Sequence, residues 1–112
     1  MAIDAQSLGD VRVARQVLST IVINTALLIP GVSRMAHVND QWTGLLGREV
    51  PRQGVFLTVK ENTVSTDLYL VVSSGVNIVE VASAVQEEVA SAIEDIVGMQ
   101  VKEVNVYIQD IS

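Results

Sequence analysis

The sequence predicts an α+β fold, a two-layer sandwich in which two helices pack on one face of a mixed three- to five-stranded sheet. Two regions repeat apolar residues at three- to four-residue spacing, which is typical of amphipathic helices. Other regions alternate apolar and polar residues, as strands with one buried face do. Because each helix has one apolar stripe to bury, we expect both helices to lie side by side on one face of the sheet.

The first predicted helix runs from Val13 to Ile29. Pro30 ends it, since proline disfavours helical geometry at the preceding residue, and Gly31 allows the chain to turn. Its expected core face consists of Val17, Leu18, Ile21, Val22, Leu28 and Ile29.

Ile23 and Leu27 fall on the opposite side of this helix and are candidate protein-interaction residues. Burying both side chains is worth roughly 3–5 kcal/mol, so leaving them in water forgoes stability. Either a partner covers them, or the N-terminal segment or the loop around Trp42 folds over them.

The predicted strands begin with a short one at Val32–Val38, and another at Val11–Val13 is an option. A hairpin follows, with strands from Gly54 and from Val64 joined by Glu61, Asn62 and Thr63, and a last strand covers Lys102–Ile111. The sheet face turned away from the helices is expected to carry Phe56, Thr58, Asp67, Tyr69, Asn105 and Tyr107. Phe56, Tyr69 and Tyr107 form a candidate binding strip there, although aromatic residues are favoured in strands anyway.

The second helix has the clearest local signals. Asn77 is a suitable N-cap, Glu80 follows at capping-box spacing, and Gly98 ends the helix. Its expected apolar stripe consists of Ile78, Val81, Ala82, Val85, Val89, Ala92, Ile93, Ile96 and Val97.

Residues 39–53 are predicted to form a long loop. Trp42, Leu45 and Leu46 lie near Arg48 in this loop. Large apolar groups beside arginine suit an interface anchor. Packing of the same cluster onto its own domain is the alternative.

Composition favours one domain spanning residues 1–112, with residues 1–10 as a flexible N-terminal segment. Charged residues make up 18% and hydrophobic residues 49% of the chain, and the mean hydropathy is +0.41. Such a domain either packs very fully as a monomer or covers part of its surface with another chain, and we expect a homo-oligomer. No apolar run approaches the ~20 residues of a membrane span, so direct membrane insertion is not expected.

Charge is unevenly distributed along the chain. Residues 1–56 hold five Arg and four acidic residues, a net +1, whereas residues 57–112 hold two Lys and nine acidic residues, a net −7. An acidic half repels phosphate backbones, which argues against nucleic acid as a partner.

Residues suited to catalysis are sparse. The chain has no cysteine, and His37 is its one histidine, so we expect no metal site, no cofactor and no enzyme activity. Glu80, Glu87 and Glu94 repeat every seven residues along one face of the second helix, which is typical of a solvated surface.

The chain resembles the alkaline-shock protein family of bacterial envelope-stress-response proteins. The matching pieces follow one another in order: Pro30-Gly31-Val32; Leu45-Leu46-Gly47-Arg48; Gly54-Val55; Asp67-Leu68-Tyr69-Leu70-Val71-Val72; Gly75-Val76-Asn77-Ile78; Val85-Gln86; Val104-Asn105-Val106. One departure is Ala14, at the place where the family usually has Ser or Thr to begin the first helix.

The resemblance implies a small α/β domain without known catalytic residues. It also implies a cytoplasmic protein that self-associates and that a separate membrane-anchor protein holds near the membrane in some members. We therefore expect a non-catalytic scaffold with protein partners. The alternative is a single-stranded RNA-binding domain that uses its aromatic sheet face for base stacking.

Overall fold

The computed structural model describes residues 13–37 and 54–112. The elements in chain order are α1 (Arg15–Leu27), β1 (Val32–Met35), β2 (Val55–Lys60), β3 (Thr63–Val72), α2 (Ile78–Ala92), a π-helical turn (Ile93–Val97) and β4 (Gln100–Ile111). The α+β class and the two-layer arrangement are confirmed. The predicted flexible segment 1–10 and the loop 39–53 lie outside the described residues, as does the start of the optional first strand.

The sheet is built around β3. Parallel pairing with β4 extends from Thr63 to Val72 and occupies one edge of β3. Antiparallel β2 pairs with Thr63–Leu68, and antiparallel β1 pairs with Leu70–Val72. Because a strand has only two edges, β1 and β2 must lie end to end along the other edge. The sheet is therefore mixed, as predicted, although β1 ends at Met35, before the predicted Val38.

Strand alternation is confirmed for the hairpin and for the last strand. A two-residue turn of Glu61 and Asn62 joins β2 to β3, and both residues have positive φ values of 51° and 65°. Such turns match the twist of paired strands. Along β3 the alternate positions Val64, Thr66, Leu68, Leu70 and Val72 are buried, and Val71 on the other sheet face is buried as well.

The core lies between this sheet face and the two helices. The buried helical residues are Leu18, Val22 and Ala26 of α1 and Val81, Val85, Val89 and Ile93 of α2 and its π-helical turn. On the sheet side, Val55, Val64, Leu68, Leu70, Val72 and Val104 complete the cluster.

Helix α1 begins without a side-chain cap. Its N-cap is Ala14, and no side-chain hydrogen bond reaches the first turn. Three predicted orientations are wrong: Val17 and Leu28 are exposed, whereas Ile23 packs against the core. The buried line follows Leu18, Val22 and Ala26 at four-residue spacing, so the small Ala26, and not Leu28, lies against the sheet.

Helix α2 begins as predicted, with the Asn77 Oδ1 accepting a hydrogen bond from the Glu80 backbone N–H at 3.1 Å. Its last turn is π-helical, and Gly98, with a φ of 77°, follows it. The Gly98 N–H donates to the Ile93 carbonyl at 3.1 Å, a five-residue step. Ile96 in this turn and Ile78 at the start of the helix are exposed, in contrast to the prediction, whereas Val97 packs against the core.

Each helix also holds one outer strand of the sheet. The Arg15 Nη1 donates to the Leu57 carbonyl in β2 at 2.9 Å, and the Gln86 Nε2 donates to the Val104 carbonyl in β4 at 3.0 Å. On the shared sheet face, these two hydrogen bonds connect α1 to strand β2 at one edge and α2 to strand β4 at the other edge.

Candidate interaction surfaces

The outer face of α1 consists of Val17, Thr20, Asn24, Leu27 and Leu28, all of which are exposed. Val17 keeps 50%, Leu27 44% and Leu28 82% of its surface accessible. No charged residue occurs between Arg15 and Arg34, so this face has none. It is an uncharged surface with three large aliphatic groups, which is unusual for a helix that faces solvent.

The outer face of α2 has the opposite character. Acidic residues outnumber basic ones five to none between Ile78 and Val97, namely Glu80, Glu87, Glu88, Glu94 and Asp95. All five are exposed. Three large apolar groups are exposed in the same range, namely Val79 at 74%, Ile96 at 69% and Ile78 at 38%.

A groove, here called the end groove, runs between the antiparallel helices, from the C-terminal end of α1 along the C-terminal half of α2. Its volume is about 450 Å³, and it is lined by Thr25, Leu28, Ile29, Glu88, Ser91, Ala92, Asp95 and Ile96. Ile96 is 69% exposed there. Its aliphatic lining residues are here called the floor, and its two carboxylates, Glu88 and Asp95, are called the rim.

The sheet face opposite the helices has the predicted aromatic strip. Phe56 and Tyr69 meet edge to face with ring centroids 5.6 Å apart, and Tyr69 stacks on Tyr107 at 4.9 Å with 17° between the ring planes. Beside them, the Asn105 Nδ2 donates to the Asp67 Oδ1 at 2.9 Å. The rings contact one another, and Tyr107 at the end of the strip remains 44% exposed.

The structure sorts the predicted interaction residues into three groups. Leu27 lies on the outer face of α1 as expected, but Ile23 is partly buried against the core and does not belong to that face. The three ring residues come together. The remaining candidates, Trp42, Leu45, Leu46 and Arg48, lie outside the described residues.

Sequence reasoning assigned four exposed residues to core stripes, namely Val17, Leu28, Ile78 and Ile96. For Leu28 and Ile96 the reason is that a helical wheel assumes regular α geometry to the end of each helix. Leu28 is the C-cap residue, one position past the last helical residue, and Ile96 lies in the π-helical turn. The Pro30-Gly31 pair close after Leu28 was the available signal that regular periodicity ends there.

Residues suited to chemistry do not converge in the described part of the chain. Within residues 13–37 and 54–112, no three His, Cys, Asp or Glu side chains are close enough to share a metal ion. His37 is exposed. In the same ranges, neither helix is both long and apolar enough to cross a bilayer.

Family membership follows from a match over almost the whole chain. Residues 4–112 match the model of the alkaline-shock protein 23 family, which is described by a cell envelope-related function. This chain belongs to that family. The family resemblance noted from the sequence is thereby confirmed.

Two relatives illustrate the spread of the family. A Streptococcus pyogenes protein, Spy1614, is 35% identical over 107 residues, which cover 93% of this chain and 88% of the relative. The Bacillus subtilis protein YloU is 29% identical over 106 residues, covering 92% of this chain and 88% of its own length.

Solved structures of MamM CTD share the fold at low sequence identity. One variant superposes with a TM-score of 0.54 at 14% identity, covering 86% of this chain and 96% of that one. Another, in a zinc form, has a TM-score of 0.53 at 14% identity and covers 86% and 85% of the two chains. At this identity the likeness concerns the fold alone.

Proposed function

We propose that this chain is a non-catalytic interaction protein of the cell envelope that associates with further copies of itself. The observation that carries the proposal is the outer face of α1, where Val17, Leu27 and Leu28 are exposed on a surface without charge. Exposed apolar patches of this kind mark interaction sites on soluble proteins.

The charge distribution favours a second copy as the occupant of this face. The chain has a net charge of −6, so most pairs of its surfaces repel one another. The outer face of α1 avoids this repulsion, because an α1–α1 contact brings no like charges together. A twofold contact of this kind is self-complementary, with the same patch on both subunits.

The expected association is weak. Complete burial of one such side chain is worth about 1.5–3 kcal/mol, while association costs about 4–15 kcal/mol in lost freedom of motion. Three partly exposed aliphatic side chains alone therefore give a dimer that forms only at high protein concentration. Larger assemblies need a second contact.

The test is a matched pair of variants, each of which places a carboxylate on one helix. Val17→Glu introduces charge on the outer face of α1, and Val79→Glu does the same on α2, where acids already dominate. Light scattering over a concentration series should show association weakened at least about tenfold by Val17→Glu and little changed by Val79→Glu. Glutamate in the first turn is favourable for a helix, so Val17→Glu should fold.

Two results would count against the proposal. A strictly monomeric wild-type chain at all concentrations removes self-association. If both variants weaken association equally, the contact between copies does not lie on the outer face of α1.

Membrane association through an anchor protein, and a cytoplasmic location, form the second part of the proposal. They are supported by the family's cell envelope-related function. Fractionation of cells that express a tagged chain, with and without candidate membrane partners, tests both.

Single-stranded RNA binding is the rival function, and the exposed Tyr107 ring at the end of the aromatic strip is the observation in its favour. Against it stand Asp67 within the strip and Glu103 nearby on β4. A titration with short single-stranded RNA at low salt separates the two, since micromolar affinity that Tyr107→Ala abolishes would favour RNA.

A further inference from the structure

We infer that the end groove binds a basic amphipathic segment of a partner protein. The inference rests on the proposed role in protein interaction but not on self-association. Its evidence is the composition of the groove, the exposure of its aliphatic residues and the charge at its rim.

The floor of the groove selects an apolar anchor. Leu28, Ile29, Ala92 and Ile96 line it, and a volume of about 450 Å³ leaves room for large side chains. Leu28 is 82% and Ile96 69% exposed, so most of their surface is available to a ligand. An occupant that covers both gains hydrophobic burial that no described residue of this chain supplies.

The rim of the groove selects positive charge. Glu88 and Asp95 line it, and Glu87 and Glu94 are their neighbours in sequence. Neither helix has a basic residue in its last turn. Cations at those positions would normally offset the negative end of the helix dipole. Two carboxylates therefore lie beside one apolar floor without a cation among the lining residues.

The described part of a second copy fits the groove less well than a basic segment does. The described Lys and Arg residues, Arg15, Arg34, Lys60 and Lys102, lie on separate elements. Two end grooves facing each other would bring four rim carboxylates together, which is unfavourable. The complement of the groove is a segment that presents Leu or Phe between Lys or Arg side chains.

The π-helical turn is a further indication that the C-terminal end of α2 takes part in binding. The turn presents Ile96 at the surface, while Val97 beside it packs against the core. Single π turns cost regular hydrogen bonding and are frequent at functional sites.

The experiment uses the full chain and two synthetic helical peptides of the same pattern, one of leucine and lysine and one of leucine and glutamate. Fluorescence anisotropy should show binding of the leucine–lysine peptide, weakened several-fold as salt is raised, and no binding of the leucine–glutamate peptide. Amide chemical shifts should change at Ala92, Asp95 and Ile96.

Two groove variants and one control identify the site. Ile96→Ser should weaken binding of the basic peptide by about tenfold, through lost apolar contact. Glu88→Lys with Asp95→Lys should weaken it at least as much and give binding of the leucine–glutamate peptide instead. The control, Glu61→Lys with Glu103→Lys, changes the net charge equally but lies away from the groove and should alter affinity less than about threefold. Thermal unfolding of each variant shows that it is folded.

Three outcomes overturn the inference. Equal weakening of peptide binding by the control variant and the groove variant would indicate unspecific attraction. Chemical-shift changes on the aromatic sheet face would place the peptide there instead. A change of oligomeric state in the groove variants, with peptide binding unchanged, would make the groove a contact between copies. Because Val17 does not line the groove, Val17→Glu tests self-association alone, and its result does not depend on whether the groove binds a peptide.

Discussion

Helices α1 and α2 cover the same sheet face, yet their outer faces differ in kind. Toward the core both present a line of buried residues at four-residue spacing, Leu18 to Ala26 in α1 and Val81 to Val89 in α2. Toward solvent, α1 has exposed aliphatic groups and no charge, whereas α2 and the π-helical turn that follows it together have five acidic residues. The inner faces are alike because both must pack against the same sheet. The outer faces do not pack within the domain, so the difference in their charge and apolar content indicates what kind of partner each face would bind.

The difference suits two partners of unlike chemistry. An uncharged aliphatic face tolerates an identical copy, and an acidic groove attracts a basic segment. Leu28 belongs to both surfaces, since it lies at the end of α1 and lines the end groove. A ligand in the groove and a second copy on α1 would therefore compete for this side chain.

The junction between the two helices should be the most sensitive position. Gly31 follows α1 with a φ of +99°, and an added Cβ would lie 2.6 Å from the Val81 Cγ2 in α2. Gly31→Ala should lower the free energy of unfolding by about 2–4 kcal/mol, because backbone strain and overpacking add.

The matched control for this prediction is Gly98→Ala, where φ is also positive at +77° but no atom lies within 4 Å of the added Cβ. It should cost only about 1–2 kcal/mol from the backbone. Urea unfolding measures the loss of unfolding free energy in each variant. Equal losses would mean that the close approach of Gly31 to Val81 does not add to the backbone cost.

The two helix starts should respond in opposite directions. Asn77→Ala removes the hydrogen bond to the Glu80 N–H and should cost about 1 kcal/mol. Ala14→Ser adds a cap that α1 lacks and should raise stability by about 0.5–1 kcal/mol. Thermal denaturation measures both. No gain from Ala14→Ser would indicate that the start of α1 is already satisfied in another way.

The smallest effects are expected at the hydrogen bonds that hold the outer strands. Arg15→Ala and Gln86→Ala each remove one bond from an exposed side chain to a strand carbonyl and should cost about 0.5–1 kcal/mol. Amide hydrogen exchange should rise in β2 for the first variant and in β4 for the second. Faster exchange in both strands for either variant would show that the two helices do not act independently on the sheet.

Local signals in the sequence determined most of the fold. The Asn77 cap, the alternation from Val55 to Val72 and the stop at Gly98 depend on neighbouring residues and on the backbone. Such signals are complete within a few residues, so reading the chain recovers them. The same holds for the aromatic strip, since period-two alternation places Phe56, Tyr69 and Tyr107 on one sheet face and strand pairing brings them together.

Only the tertiary structure decided which side of α1 faces the sheet and where the end groove lies. Val17, Ile23 and Leu28 are all aliphatic, and hydrophobicity alone does not rank them. The crossing of α1 over the sheet buries Ala26 and leaves Leu28 outside, because close packing favours the small residue at the nearest approach. The parallel pairing of β3 with β4 and the π-helical turn at Ile96 likewise depend on contacts between residues far apart in the chain.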